Sequence, residues 1–581
     1  MIEIHSHKNR IQVAYFSMEV GLEADMPTYS GGLGVLAGDI LRAAADLSIP
    51  MVGVTLLHRK GYFKQKLDAL GNQQEDPVEW YPEEFLEPLK QRIKVTIGKG
   101  AVSVRAWRYV VHGASGHDVP VLFLDTALPE NTPEDRALTD HLYGGDDRYR
   151  LCQEVILGMG GLAMLRALGY KDLRAFHMNE GHSSLLALAL MEERLRGESL
   201  DKADEEDVEA VRQRCIFTTH TPVPAGHDQF EMNLVHDVLG RERTSFLKSY
   251  ISGTEGKLNT TSLALSFSRY VNGVSSRHEE ISKGMFPQYP INSVTNGVHG
   301  FSWTSAPFRR LYDQYMPEWR YDNLYLRYAV RIPRDEILSA HIEAKKDLLT
   351  EIKRRTAVTL DPGEMVLGFA RRATAYKRAA LLLSDPDRLR RIVGKAGPLQ
   401  IIYAGKAHPR DKSGQELIRE IYLAARRLSD SVRIVYLEDY GMELGKMLCA
   451  GVDLWLNTPE KPREASGTSG MKAAMNGVPS LSVLDGWWIE GHVEGITGWV
   501  IGDPCERASN PALETESLYD KLENVIVPMF YKKPKAYAEV MRFAIALNGS
   551  FFNAQRMMGQ YLKNAYLAEN GNLVCAEAHT L

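Results

Sequence analysis

Short apolar runs alternate with longer amphipathic segments along this chain, and the alternation occurs in two separate sets. The first set comprises the apolar runs 13–16, 50–56, 119–124 and 216–219. Segments 158–168 and 183–196, which lie between them, have the spacing of amphipathic helices. Runs of this length between helical patterns are typical of parallel strands that are covered on both faces. The alternation therefore predicts an α/β fold.

A second set of apolar runs lies at 365–370, 399–404, 432–437 and 452–457. Between the sets, residues 300–357 are rich in aromatic, charged and helix-forming residues and contain no clear strand. A chain of 581 residues is also too long for a single core. We therefore predict two doubly wound, Rossmann-like domains, 1–298 and 299–581, which face each other across a deep cleft. In such folds the ligand binds at the carboxyl ends of the strands.

Composition and the chain ends exclude several classes of function. The formal net charge of -5 favours neither nucleic acid nor an anionic membrane as a partner. No apolar run reaches the roughly 20 residues that span a bilayer, and the start lacks the pattern of a signal peptide. Five scattered cysteines without a CxxC pair are typical of reduced thiols in a cytoplasmic protein. The tail, 535–568, is predicted to be helical and to pack back on the body.

A glycine-rich segment from Tyr29 to Asp39 follows the first apolar run and precedes a helical pattern. Clustered glycines let backbone N–H groups approach an anion, and the helix N-terminus adds a favourable dipole. The segment suits a dinucleotide, a nucleotide sugar or a phosphate. A tight strand-to-helix turn explains it equally well.

The apolar run 365–370 is followed by a basic segment that contains Arg371, Arg372, Lys377 and Arg378. A solvated basic face is the ordinary meaning of such a segment. Its position at the end of a predicted strand favours a ligand site instead. One guanidinium group can bind two phosphate oxygens at once, and a lysine adds a compact charge. The segment therefore predicts a phosphate site.

Lys472 ends the segment EASGTSGMK, 464–472, in which small residues and hydroxyl groups form a polar loop. Met471 and Ala473 flank this lysine, and apolar surroundings favour the neutral amine that carbonyl chemistry requires. Most lysines are surface groups, and the loop alone does not identify a cofactor.

Polar side chains that can bind sugar hydroxyls follow other apolar runs: Asn179, Glu180, His182, His220 and Asn296. Each of them could equally cap a helix or lie buried with its hydrogen bonds satisfied. A zinc site at His220 and His227 is not expected, because two prolines lie between them and no third ligand is evident.

Taken together, these motifs resemble those of the α-glucan phosphorylase family, and they occur in the family's order. The matching segments are FSME (16–19), SGGL (30–33), NEGH (179–182), HTP (220–222), VTN (294–296), YKR (376–378) and the segment 464–472. The resemblance implies a GT-B-like fold and reversible, retaining phosphorolysis of the terminal units of an α-1,4-glucan or maltodextrin. Inorganic phosphate is then the second substrate, and α-D-glucose 1-phosphate the product. The implied cofactor is pyridoxal 5′-phosphate, held by Lys472 as an aldimine, with its 5′-phosphate assisting as acid and base.

The resemblance also implies roles for individual residues. The implied catalytic residues are His220, Arg372 and Lys377, the latter two on the substrate phosphate. The implied neighbours of the cofactor, besides Lys472, are Arg371, Thr468, Tyr440 and Ser30. The implied substrate-binding residues are Gly31, Gly32, Leu33, Asn296, Tyr376, Glu464, Ala465, Ser466, Gly467, Glu19, Asn179 and His182. The backbone carbonyl of His220 is expected to stabilise the cationic carbon, and its ring to bind a glucose hydroxyl.

The chain departs from the long members of the family and is most similar to a short bacterial and archaeal branch. Fifteen residues precede Phe16, where long members carry a regulatory extension, and Arg371 stands where they have a lysine. Control by phosphorylation or nucleotides is therefore not expected, whereas a homodimer is the habit of the family. Two other functions remain open. A nucleotide-sugar glycosyltransferase shares the cleft but needs no such lysine, and a glucan-binding protein could keep the fold without catalysis.

Overall fold

The structure, a computed structural model, describes residues 12–250 and 256–567. In chain order the strands within these residues are β1 Val13–Ser17, β2 Met51–Leu56, β3 Lys64–Leu67, β4 Gln73–Asp76, β5 Glu87–Ile97, β6 Gly100–His112, β7 Asp118–Asp125, β8 Ala175–Asn179, β9 Cys215–Thr218, β10 Gln229–Glu231, β11 Lys257–Asn259, β12 Tyr270–Gly273, β13 Ile291–Ser293, β14 Met365–Ala370, β15 Leu399–Ala404, β16 Arg433–Leu437, β17 Leu454–Asn457, β18 Ser480–Val483 and β19 Gly498–Ile501.

The larger sheet of the described residues has nine strands, in the order β13-β12-β9-β8-β1-β2-β7-β6-β5. The strands from β13 to β7 are parallel, and β6 and β5 extend the sheet antiparallel at one edge. Every residue of β1 and β2 is buried, which explains their continuous apolar sequence. The strand order reverses between β1 and β8, so a ligand crevice is expected at their carboxyl ends.

The smaller sheet is entirely parallel, in the order β16-β15-β14-β17-β18-β19. Numbered from β14, this is the order 3-2-1-4-5-6 of a Rossmann-like, doubly wound sheet. Its reversal point lies between β14 and β17, directly before the basic segment that begins at Arg371. The two remaining pairs of strands in the described residues are antiparallel: β3 and β4 form a hairpin, whereas two helices lie between β10 and β11 in the chain.

Helices connect and cover the strands of both sheets. Before β14 the α-helices of the described residues are Gly32–Asp46, Pro133–Arg136, Asp147–Val155, Gly161–Ala167, Leu185–Arg194, Glu205–Arg212, Met232–Leu239, Arg241–Ser249, Thr260–Ser266, Ser276–Met285, Gly300–Trp303, Ala306–Tyr315 and Arg334–Thr356. After β14 they are Pro386–Lys395, Lys412–Arg427, Met442–Gly451, Ser469–Ala474, Trp488–Gly491, Pro511–Lys521, Val527–Lys532, Pro534–Phe543 and Ala554–Tyr561. No helix of the described residues is long and apolar enough to cross a membrane.

The predicted α/β fold is confirmed, and each apolar run named above lies on a strand. The antiparallel strands β5 and β6 were not predicted, because β5 is mostly exposed and charged, and Ser103, Arg105 and Arg108 interrupt the apolar residues of β6. Residues 300–357 are helical and contain no strand, as predicted. The division of the chain between 298 and 299 remains a prediction.

The last described residues of the chain contact the larger sheet. Met557 and Tyr561, on the helix Ala554–Tyr561, share a buried apolar cluster with residues of β1 and of the helix Gly32–Asp46. The Tyr566 hydroxyl forms a hydrogen bond of 2.7 Å with the ring of His177 on β8. Ala568, the last residue of the predicted helical tail, lies outside the described residues. Cys152, Cys215, Cys449 and Cys505 are free thiols, and Cys575 also lies outside the described residues.

Candidate active site

The carboxyl ends of both sheets border one cleft with a volume of about 660 Å³. Glu19 follows β1, Glu180 follows β8 and Arg371 follows β14, and all three line the cleft. The cleft brings together all but one of the residues that the resemblance names. Asn179 is the exception, because it lies at the buried end of β8, hydrogen-bonded to His220.

Arg371 and Lys377 converge on the carboxylate of Glu464. Arg371 Nη2 donates to Glu464 Oε2 at 2.8 Å, and Lys377 Nζ donates to the same oxygen at 2.5 Å. Arg371 Nε and Nη1 are buried and have no hydrogen-bond partner in the described part of the chain. Arg372 is exposed in the cleft, beside the Tyr62 hydroxyl. The cluster therefore has donor groups left for an anion.

The charges of this cluster depend on one another. The pKa of Lys377 is lowered to about 7, chiefly by burial and in addition by the charge of Arg371, whereas Glu464 acts in the opposite direction. Burial alone would raise the pKa of Glu464, but the charges of Arg371 and Lys377 outweigh burial and the pKa is lowered. Glu464 is thus ionised at neutral pH, and the proton on Lys377 depends on a nearby anion.

Lys472 lies on the helix Ser469–Ala474 and is only 8% exposed. Among the described residues no hydrogen bond or ion pair reaches its amine, which lies 3.8 Å from the centroid of the Trp303 ring. Burial lowers the pKa of Lys472, and the charge of Asp39 partly opposes this shift. Lys472 is therefore a buried amine that lines the cleft beside the face of the Trp303 ring.

His220 is oriented by a chain of hydrogen bonds. Its Nε2 lies 2.7 Å from Asn179 Oδ1, while Asn179 Nδ2 donates to Ser17 Oγ at 3.0 Å. The Ser17 hydroxyl donates in turn to the backbone carbonyl of Glu19 at 2.7 Å. Because Oδ1 of Asn179 can only accept, Nε2 carries the proton and Nδ1 is left as an acceptor. Burial lowers the pKa of His220 to about 4, so the ring is neutral.

The glycine-rich loop borders the cleft, and Glu19 engages its first N–H groups. Ser30 N donates to Glu19 Oε2 at 2.6 Å, Gly31 N donates at 3.3 Å, and the Tyr143 hydroxyl donates to Oε1 at 2.9 Å. Burial nevertheless raises the pKa of Glu19. A Cβ atom at Gly31 or Gly32 would meet no atom within 4 Å, so the loop leaves open space for a ligand.

The cleft is also lined by a charged group that the sequence alone did not identify. His182 Nε2 lies 3.1 Å from Asp228 Oδ2, and Arg150 pairs with the other oxygen of Asp228. Burial would lower the pKa of His182, but Asp228 outweighs burial and the pKa is raised. Asp228 follows the HTP motif in the same loop, and this closeness in the sequence could have indicated that Asp228 belongs to the site.

Glu180 holds the loop that follows β9. Its carboxylate accepts the backbone N–H of His220 at 2.8 Å and the Thr221 hydroxyl at 2.9 Å. Glu180 itself has a φ of 73°, a conformation that costs roughly 1–3 kcal/mol for a residue other than glycine. These contacts compensate the strain and fix the position of His220 in the cleft.

Sequence comparisons with known proteins agree with the set of residues found in this cleft. The sequence model of the carbohydrate phosphorylase family matches residues 165–495, which include the HTP motif, the basic segment and the Lys472 loop. The chain is 38% identical to maltodextrin phosphorylase of Thermococcus litoralis, covering 97% of this chain and 71% of that protein. It is 35% identical to glycogen phosphorylase of Aquifex aeolicus, covering 95% of this chain and 86% of that protein. The chain therefore belongs to the carbohydrate phosphorylase family.

Proposed function

We propose that this protein is an α-1,4-glucan phosphorylase. It transfers the terminal glucosyl unit of a glucan to inorganic phosphate, reversibly and with retention, and produces α-D-glucose 1-phosphate. The observation that carries the proposal is one cleft that combines the buried Lys472, the basic cluster around Arg371 and the neutral ring of His220. The similarity to a maltodextrin phosphorylase and a glycogen phosphorylase supports the same substrate class.

Pyridoxal 5′-phosphate, the cofactor of this family, fits the groups around Lys472. The amine of Lys472 has no hydrogen-bond acceptor among the described residues, and Arg371 and Ser466 have buried polar atoms without partners there. We infer that Lys472 holds the cofactor covalently, with Arg371 and Thr468 on its phosphate group. When bound, the cofactor supplies that phosphate group as an acid and base beside the reacting substrate.

The basic cluster is suited to bind the substrate phosphate. A phosphate substrate beside a phosphate-bearing cofactor experiences like-charge repulsion, which nearby cations must offset. Arg372 is exposed in the cleft, and Lys377 gains charge when an anion approaches. These two residues therefore bind and orient the substrate phosphate. The hydrogen bond from Lys377 to Glu464 weakens when Lys377 contacts the phosphate.

His220 acts on the sugar as a neutral acceptor. Its Nδ1 lone pair can accept a glucose hydroxyl, because Asn179 holds the proton on Nε2. A neutral ring also adds no positive charge near a carbon that becomes cationic during transfer, and the backbone carbonyl of His220 can stabilise that carbon. Other glucosyl hydroxyls are bound by residues that line the same cleft: Asn296, Tyr376, Glu464, Ala465, Ser466 and Gly467. Glu19, Glu180 and His182 border the path of the glucan acceptor.

The test is phosphorolysis of maltoheptaose by the purified chain in inorganic phosphate, with glucose 1-phosphate and bound pyridoxal measured together. We expect both to be present in the wild type and both to be lost in Lys472→Ala. Lys446→Ala, which removes a surface lysine paired with Glu443, is the matched control and should change neither. Full phosphorolysis by Lys472→Ala would refute the proposal. Transfer from a nucleotide sugar without phosphorolysis would favour the glycosyltransferase instead.

A further inference from the structure

Asp39 is a buried carboxylate near the cofactor-binding lysine, and none of the roles described above uses it. It lies on the helix Gly32–Asp46 and is 2% exposed. Both of its oxygens accept the indole N–H of Trp303, at 3.1 Å and 2.9 Å. Arg42 approaches only to 4.0 Å, and its guanidinium donates to the backbone carbonyls of Gly21 and Leu22 instead.

Trp303 connects this carboxylate to Lys472. The amine of Lys472 lies 3.8 Å from the centroid of the indole ring whose N–H is donated to Asp39. A cation over an indole face is attracted by the ring's quadrupole, and an N–H donated to a carboxylate increases the electron density of that ring. The carboxylate and the amine are thus coupled through one side chain, as well as directly through their charges.

Close packing of the helix explains why Asp39 reaches this position. A Cβ atom at Gly38 would lie 1.9 Å from the backbone carbonyl oxygen of Gly21, so only glycine permits this approach of the helix. On the other side of the pocket, a Cβ at Gly470 would lie 2.7 Å from the Trp487 ring. The helix that carries Lys472 therefore also packs closely against its neighbour, the Trp487 ring.

We propose that Asp39, oriented by Trp303, is the counter-ion of Lys472 and sets the protonation of its amine. The proposal rests on the proposed function of Lys472 as the cofactor-binding lysine. Asp39 touches neither substrate nor reacting atoms, and it is therefore a positioning residue. Because only a neutral amine reacts with an aldehyde, Asp39 governs how readily Lys472 takes up the cofactor at neutral pH.

The direct test measures the protonation of Lys472 in the full chain freed of cofactor. Trace acetylation with acetic anhydride, followed by mass spectrometry of the Lys472 peptide over a series of pH values, gives the midpoint of its titration. Asp39→Asn keeps the side-chain shape and an acceptor for the indole N–H, and it removes only the charge. We expect the midpoint to fall by about one to two pH units, and labelling at neutral pH to rise by about tenfold or more.

Two further variants separate this function from a structural one. Asp46→Asn removes another buried carboxylate of the same helix, which pairs with His299 at 2.9 Å, and should leave the Lys472 midpoint unchanged. Trp303→Phe keeps an aromatic face but removes the N–H donor, and should shift the midpoint in the same direction as Asp39→Asn. The other group that faces the amine, Cys449, is left intact in all of them.

An unchanged midpoint in Asp39→Asn, or a shift equal to that of Asp46→Asn, would overturn the proposal. If Asp39→Asn does not fold, the midpoint of Trp303→Phe decides in its place. If the proposed function is wrong, the result differs from this one: the wild type lacks phosphorolysis and bound pyridoxal, whatever the titration midpoint of Lys472. The labelling experiment needs neither substrate nor a loaded enzyme.

Discussion

Replacing Glu464 with glutamine should destabilise the protein in a manner that phosphate reverses. The substitution removes the negative charge that Arg371 and Lys377 share, at 2.8 Å and 2.5 Å from one oxygen. At an effective dielectric near 20, each of these contacts corresponds to about 6–7 kcal/mol of attraction before desolvation is subtracted. Removal of one member of a buried ion pair costs ~3–5 kcal/mol in measured cases.

Deprotonation of Lys377 limits the loss. Its pKa is already lowered to about 7, and Glu464 is the main group that opposes this shift, so the variant favours the neutral amine more strongly. We therefore expect the free energy of unfolding to fall by about 2–4 kcal/mol at neutral pH without phosphate. The unfolded lysine keeps its proton to higher pH than the folded one. Stability of the variant should consequently rise as pH increases from neutral to alkaline values.

Urea unfolding followed by tryptophan fluorescence, with and without inorganic phosphate, measures both effects. Phosphate at about one hundred times its dissociation constant adds ~2.7 kcal/mol to a protein that binds it only when folded. The gain should be larger in Glu464→Gln than in the wild type, because the anion no longer competes with the carboxylate. Glu514→Gln is the matched control: it breaks the buried pair with Arg378, outside the cleft, and should lose stability without phosphate rescue. Equal phosphate effects in both variants would refute the reasoning.

Three further substitutions test other residues at the cleft and one contact of the hairpin formed by β3 and β4. Asn179→Leu should lower kcat/KM for phosphorolysis by about 100-fold, because the ring of His220 loses its fixed tautomer; an unchanged rate would contradict this role. Arg372→Ala should raise KM for phosphate about tenfold or more with little change in urea unfolding, since the side chain is exposed; an unaltered KM would exclude it from the phosphate site. Gln65→Ala should lower the free energy of unfolding by about 2–4 kcal/mol, because the hydrogen bonds of the Gln65 side-chain amide with Gln73, Gly405 and Asp439 are lost. The exposed neighbour Gln74→Ala should lose less than about 0.5 kcal/mol, and equal losses would show that the hairpin contacts add nothing.

The difference between the predicted and the observed strands has a physical origin. The strands β14 and β15 coincide with their apolar runs, because both faces of each strand are buried and every position except Gln400 is apolar or small. The strand β5 is mostly exposed and contains several charged residues, whereas Arg105 and Arg108 interrupt the apolar residues of β6. The sequence of β5 resembles a polar surface segment when it is read without its partner strand. The antiparallel edge formed by β5 and its neighbour β6 becomes evident only when the pairing is known.

The sequence by itself determined the α/β class, the two sets of strands and the motifs at the strand ends, because periodicity and composition are local properties of the chain. It also indicated that Lys472 lies in apolar surroundings, since Met471 and Ala473 are its neighbours on one short helix. Only the tertiary structure decided which groups these residues meet. Glu464 joins Arg371 across 93 positions, and Trp303 joins Asp39 across 264 positions. Contacts over such separations depend on how helices and sheets pack, and no local pattern in the sequence records that packing.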